Sequence, residues 1–427
     1  MKIVGAAPIV WALAATLLGA PAGARAGDAA AGAVTLHVWT AWDAQAPETA
    51  AARQQLAAFG TAHPDIRLDV QNFDPGALHD RLVGAIAGSQ VPDLSWGRPG
   101  WLGGFARMGA LMNLDAFAAG WSARAAIYPG VLAALRVGGH LMALPDAVRP
   151  RALLYHADLL RNAGITAPPA TWQALIADAQ RVKLTTGEDG FGIAAAGARA
   201  PQELAMYLAQ LGLALAVPTP DGKYRNTWND HPDQLAAATQ VFAFYSNLME
   251  RGAIPTGAAG WDGTVEDENF ALGRIAFEIS GMWMKAREMR TPQAMADVAI
   301  APPPTGGQAA TFFDVDPIFL FRATAHPQAV LELADFLTGR GYQLAVHPHD
   351  SPRRDVTDDV KWSGPFLRLA PTGVALPPVP MGGIGADIGA AIRRLLVKNE
   401  DPPEVARRLG ADINRDLRAA GLLGGNG

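Results

Sequence analysis

Residues 153–172 constrain the fold more than any other stretch, because four structural signals follow one another there in a fixed order. Leu153–Tyr155 reads as a short apolar strand, Ala157–Ala163 as a helix that Gly164 can close in the left-handed conformation, and Pro168-Pro169 as a stiff spacer. Thr171 is the natural N-cap of a second helix, since Leu175, Ile176, Ala179 and Val182 recur behind it at helical spacing. The beginning of the chain alternates in the same way. Val34–Trp39 predicts a strand, Pro47–Phe59 a helix ending near Gly60, Ile66–Asn72 a strand and Leu78–Gly88 a helix. Strand and helix alternating over this length predict an α/β fold with a mostly parallel sheet, in which ligands gather beyond the carboxyl ends of the strands.

The first residues address the chain. Lys2 precedes an apolar run from Ile3 to Leu18, and Ala24-Arg25-Ala26 supplies small residues around a cleavage point. This predicts a secretory signal, residues 1–26, cleaved after Ala26. Pro8, Pro21 and the small-residue tail argue against a membrane anchor. With no cysteine in the chain, no disulfide, thiolate nucleophile or lipid-bearing residue is available, so a free periplasmic monomer is expected. Cleavage takes two of the 35 basic residues, Lys2 and Arg25, and leaves a net charge of −7, which argues against nucleic acid and anionic membranes as partners. The length predicts at least two domains.

The segments Tyr155-His156-Ala157-Asp158-Leu159, Ala163-Gly164-Ile165 and Pro168-Pro169-Ala170-Thr171-Trp172 resemble the Tyr-Asn-Lys-Asp-Leu, Ala-Gly-Ile and Pro-Pro-Thr-Trp signature of the family 1 extracellular solute-binding proteins. These are the receptor subunits of ABC importers for sugars and polyols, of maltose-binding-protein type. His156-Ala157 stands where relatives carry Asn-Lys. Other stretches resemble the family in order: His63-Pro64-Asp65-Ile66, Pro92-Asp93-Leu94, Met112-Asn113-Leu114-Asp115, Val137–Pro145, and Glu268–Phe277 followed by Gly281-Met282-Trp283. The resemblance implies a two-lobed periplasmic binding protein fold, type II-like, with discontinuous lobes joined by hinge strands near Pro145 and Pro302. It assigns 33–144 plus 299–338 to the first lobe, and 145–298 plus 339–424, with the C-terminal helices, to the second. The implied function is capture of a sugar or polyol between the lobes and delivery to an ABC permease pair with its ATPases, without a cofactor.

A sugar presents hydroxyls at its edge and weakly positive C–H groups on its faces, so its site needs charged or amide groups and flat aromatic rings. Trp42 and Asp43 follow the first strand, and Trp96 and Arg98 follow another, so both loops should open on the ligand side. Asp43 has an equal reading as a helix cap. The resemblance puts Asp146 and Arg149 beside the cleft, where they could also brace each other, and matches Trp283 to the family's stacking aromatic, with Gly281 admitting a close approach. Trp261, Asp262 and Arg353 are further candidates. Phe312-Phe313-Asp314-Val315-Asp316 departs from the family pattern and adds Asp314 and Asp316. Asp43, Asp146, Asp314 and Asp316 together favour a polyamine or amino sugar, whereas Arg98, Arg149 and Arg353 favour a phosphorylated ligand such as a glycerophosphate; mixed signs suit a neutral polyhydroxy ligand. His347-Pro348-His349-Asp350 is the one cluster with metal-ligand character, and without a partner pair elsewhere it reads as a solvated loop. A glycosidase would need a distinct pair of acids, and no such pair or other catalytic motif stands out.

Overall fold

The computed structural model describes residues 33–425, and the predicted signal, 1–26, lies outside them. Val34–Thr40 is the axis of a six-stranded sheet. It pairs in parallel with Ile66–Asn72 on one side and Leu94–Trp96 on the other. Leu36 and Val38 alternate inward to the core, the period-two pattern of a strand with one buried face. The long strand Thr311–Leu320 then runs antiparallel to Leu94–Trp96 and to Leu144–Pro150, with Gly373–Val374 at the far end. Helix Pro47–Ala62 covers the sheet through Ala52, Leu56 and Phe59. It runs two residues past Gly60, near which the sequence predicts its end, because Gly60 does not take the positive φ that closes a helix.

A second sheet has the order Val298–Ala301, Ala152–His156, Ile275–Ser280, Asp189–Phe191. All six residues of Ile275–Ser280 are buried, as befits a strand covered on both faces. Helices Trp172–Thr186, Arg199–Gln210, Pro232–Glu250, Met381–Lys398 and Pro402–Ala419 contribute to the main hydrophobic core beside this sheet. Thr171 caps the first of them, its hydroxyl accepting from Ala174 N at 3.1 Å, and Gly187 ends it with φ 83°. Gly164 takes φ 66° after the short helix Ala157–Asn162, as the sequence predicts.

The chain leaves the first sheet at Pro150 and enters the second at Ala152, so Arg151 alone spans them. It returns between Ala301 and Thr311. These positions differ from the lobe limits drawn by resemblance. Leu144–Pro150 belongs to the first sheet because its backbone pairs with Thr311–Leu320, and Val298–Ala301 belongs to the second because it pairs with Ala152–His156. Helix Arg340–Val346 packs on Pro47–Ala62 and gives Tyr342 and Val346 to the first core.

Candidate functional site

A cavity of about 490 Å³ opens where residues of both sheets' units meet. Its first wall comes from the carboxyl ends of adjacent parallel strands, which must open on the same edge. Trp42 and Asp43 follow Val34–Thr40, and Trp96, Gly97 and Arg98 end or follow Leu94–Trp96. Asn72, the last residue of the neighbouring strand, fixes the first loop: its Oδ1 accepts from Thr40 Oγ1 at 2.6 Å and from Trp42 N at 2.8 Å, and its Nδ2 donates to Trp42 O at 3.1 Å. The Trp42 and Trp96 rings meet edge to face with centres 4.9 Å apart. Asp43 does not cap the following helix; its Oδ1 accepts from Gln45 N at 2.9 Å, and its side chain stays exposed at the cavity.

The floor is an ion-pair cluster. Arg149 on Leu144–Pro150 bonds Asp316 on the facing strand and, through Nη2, Asp350 at 3.0 Å. Asp350 Oδ1 lies 3.0 Å from His347 Nδ1, and His347 Nε2 makes a 3.2 Å ion-pair contact with Asp146 Oδ1 that is out of line for a hydrogen bond. Arg149 therefore braces Asp316 and Asp350 rather than Asp146. Burial works against charge on His347, but Asp146 and Asp350 outweigh it and push its pKa up to about 10. Burial likewise opposes ionisation of Asp350, yet His347 and Arg149 draw its pKa down to about 2. The segment 347–350 is only in part the solvated loop its sequence suggests: His349 is exposed, but His347 is 8% exposed and serves as a buried cation. Among the described residues no group of side chains is arranged to hold a metal ion.

The second wall is Met282, Trp283 and Lys285, with Trp362 and Ser363 beside them. Trp283 is half-buried, and its Nε1 donates to Asp267 Oδ2 at 2.8 Å. A Cβ on Gly281 would fall 1.9 Å from the Trp283 ring, so only glycine lets the ring lie back on its own chain. Gly281→Ala is expected to displace Trp283 and shift its fluorescence while secondary structure is kept; an unchanged emission spectrum would show that the ring does not need this space.

Of the residues singled out from sequence, Trp42, Asp43, Trp96, Arg98, Asp146, Arg149, Trp283 and Asp316 line this one cavity. Four do not. Trp261 packs against the second unit's core, and Asp262 caps helix Gly263–Ala271, accepting from Thr264 N and Val265 N at 2.9 and 3.0 Å. Asp314 shares a sheet face with Asp316 but bonds Arg151 at 2.7 Å, away from the cavity lining. Arg353 is buried, held by two 2.8 Å bonds to Asp355 and one of 2.9 Å to Thr338 O. Sequence reasoning missed Glu48, Trp101, Lys285, His347, Asp350 and Trp362. Glu48 had a signal, since it lies in the first turn of the helix after the Trp42 loop. The pairing of Asp350 with Arg149, 201 residues away, had none.

A profile described as bacterial extracellular solute-binding protein matches residues 43–344. A protein of Brucella abortus (strain 2308), named as a binding protein, is 26% identical over 286 residues, which make up 66% of this chain and 66% of the relative; the match spans just under two thirds of that relative's length. Among solved structures, the chain is similar to the sugar-binding protein MalE of the phytopathogen Xanthomonas citri, with 23% identity, 92% of this chain and 100% of that one covered, and a TM-score of 0.75. It is similar also to the cyclic α-maltosyl-1,6-maltose binding protein of Arthrobacter globiformis, with 16% identity, 91% and 100% coverage, and a TM-score of 0.75. At these identities the likeness establishes the two-lobed α/β fold.

Proposed function

The chain belongs to the bacterial extracellular solute-binding protein family, and we propose that it captures a neutral sugar or polyol in the cleft between its lobes and delivers it to an ABC permease pair with its ATPases. One observation carries this reading: tryptophan rings and side chains of both charges line the same cavity. Trp42 and Trp96 on one wall and Trp283 on the other offer flat faces to C–H groups. Asp43, Glu48 and Asp146 accept from hydroxyls, and Arg98 and Lys285 donate to them. A polyamine would face Arg98 and Lys285, and a phosphate would face the acids, so both are disfavoured by like charge. Sugar binding in the names of both structural neighbours supports the same ligand class.

Capture proceeds by closure. A ligand that bridges the walls binds the closed arrangement better than the open one and shifts the population toward it, with the single-residue crossing at Arg151 and the return between Ala301 and Thr311 acting as hinges. The chain acts as a binding protein and not as an enzyme, and it works as a periplasmic monomer with its signal removed after Ala26 and no lipid anchor. Among the described residues no helix is long and apolar enough to cross a membrane.

Thermal-shift screening of the protein from Gly27 onward tests the reading. A ligand that binds only the folded state at about 100 times its Kd adds about 2.7 kcal/mol of stability. A sugar or polyol is expected to raise Tm, whereas spermidine and glycerophosphodiesters are expected to leave it unchanged. A shift with spermidine alone, steeply reduced by salt, would make the acids readers of charge and overturn the neutral-ligand assignment.

A further inference from the structure

Beside Trp283, inside the second unit, lie ionisable groups that ligand contact leaves unused. Glu203 comes from helix Arg199–Gln210, Glu266 and Asp267 from helix Gly263–Ala271, and Glu278 from strand Ile275–Ser280; all four are buried. Arg199 pairs with two of them through one nitrogen, Nη1, at 3.0 Å to Glu266 and 2.7 Å to Asp267. Arg151 is engaged with Asp314. Both guanidinium groups also stand near the Trp283 ring, with Cζ atoms 4.4 Å (Arg151) and 5.2 Å (Arg199) from its centre.

Donors are shared unequally among these acids. Asp267 accepts from Arg199, from Ser280 Oγ at 3.0 Å and from Trp283 Nε1 at 2.8 Å. Glu266 uses one oxygen on Arg199, while its other oxygen and both oxygens of Glu203 and Glu278 have no hydrogen-bond partner among the described residues. The buried hydroxyls of Tyr207 and Tyr245 are likewise unpartnered there. A buried carboxyl without donors keeps its proton, whereas one with several donors and an arginine carries the charge. Burial pushes Glu203 and Glu278 well above the ordinary range. Glu266 lies between: burial raises it, Arg199 draws it back, Asp267 raises it again, and the balance is about 7.

We propose that Asp267 is the positioning residue for the Trp283 platform, and that proton exchange on the neighbouring Glu266 tightens or loosens its hold. When Glu266 is protonated, Arg199 is committed to Asp267, and the indole N–H is held firmly. When Glu266 ionises, two carboxylates compete for one guanidinium nitrogen and repel each other, and the anchor of Trp283 weakens. The charges on the helix that follows Trp283, Met284–Arg290, act elsewhere: Lys285 is exposed at the cavity, Arg287 pairs with Glu268, Glu288 pairs with Lys361, and Arg290 donates to Ala286 O. The effect on capture rests on the sugar-binding reading of the cleft; the titration of Trp283 does not.

The test therefore needs no ligand. The emission of the wild-type protein minus that of Trp283→Phe isolates Trp283, and it is expected to change sigmoidally between pH 5.5 and 8.5 with a midpoint near 7. Glu266→Gln, which cannot ionise, is expected to abolish the transition and hold the low-pH signal. Asp267→Asn is expected to give a shifted spectrum at every pH. A flat difference spectrum in the wild type, or the same transition in Glu266→Gln, would overturn the proposal. Circular dichroism confirms folding, and should Asp267→Asn not fold, the Glu266→Gln comparison decides alone. If the transition is present while no sugar raises Tm, the failure lies with the sugar reading and not with this device.

Discussion

Trp283→Ala is expected to weaken binding of any sugar returned by the thermal-shift screen by roughly 30-fold or more, on the order of the 2 kcal/mol that a well-packed tryptophan contributes at a binding hot spot. The ring forms one wall of the cavity, and Trp42 and Trp96 form the opposite one, so its loss removes a stacking face that the remaining residues cannot replace. Deletion also leaves Asp267 without its indole donor. A moderate stability loss should accompany the binding defect for that reason. Trp283→Phe separates the two effects: it keeps an aromatic face and removes only the N–H, so it should retain more affinity than the alanine variant. Calorimetric titration with the screened sugar checks the order. Equal affinity in wild type and Trp283→Ala would take Trp283 out of the site.

His347→Ala should cost about 3–5 kcal/mol at pH 6, because it strips a buried cation from between Asp146 and Asp350, leaving Asp146 without its ion-pair partner and Asp350 with Arg149 alone. The sign of the pH dependence follows from its raised pKa. Relative to an unfolded value of 6.5, a folded value of about 10 means the stabilisation is full below about pH 6.5 and is lost as pH rises through 10. Asp350 runs the other way: its pKa falls from 3.8 to about 2, so its contribution is present above about pH 4 and lost as pH falls through 2. The deficit of His347→Ala in urea unfolding should therefore be largest near pH 6 and shrink toward pH 10. A deficit equal at both pH values would show that His347 acts by packing and not by charge.

These residues also mark how far the sequence could be read. Ile66–Asn72 appears as a strand with the bounds its pattern predicts, and Thr171 and Gly164 take the cap positions their chemistry favours. Each of these depends on neighbours a few residues away, and local geometry dictates it. Trp42, Trp96 and Arg98 were legible for a related reason: a loop after a strand of a parallel sheet has one direction in which to open. Trp283 was found by its resemblance to a family motif, not by spacing.

The charged groups behaved differently. Asp314 and Asp316 are equivalent in sequence, two residues apart on one strand face, yet Asp316 lines the cavity with Arg149 while Asp314 turns to Arg151. Nothing local distinguishes them; Arg149 stands opposite Asp314 in the register but reaches diagonally to Asp316, and Arg151, just past the end of Leu144–Pro150, takes Asp314. His347 read as a solvated loop residue because Asp146, and the Arg149 that holds its neighbour Asp350, are brought to it by a strand some two hundred residues earlier. The alternating elements, most of their caps and the aromatic loops could be read along the chain, since those follow from short-range sterics and side-chain periodicity. Which charges meet emerges only in the folded chain, because burial and ion pairing are set by the packing of distant strands, and a buried charge is stable only where that packing supplies its partner.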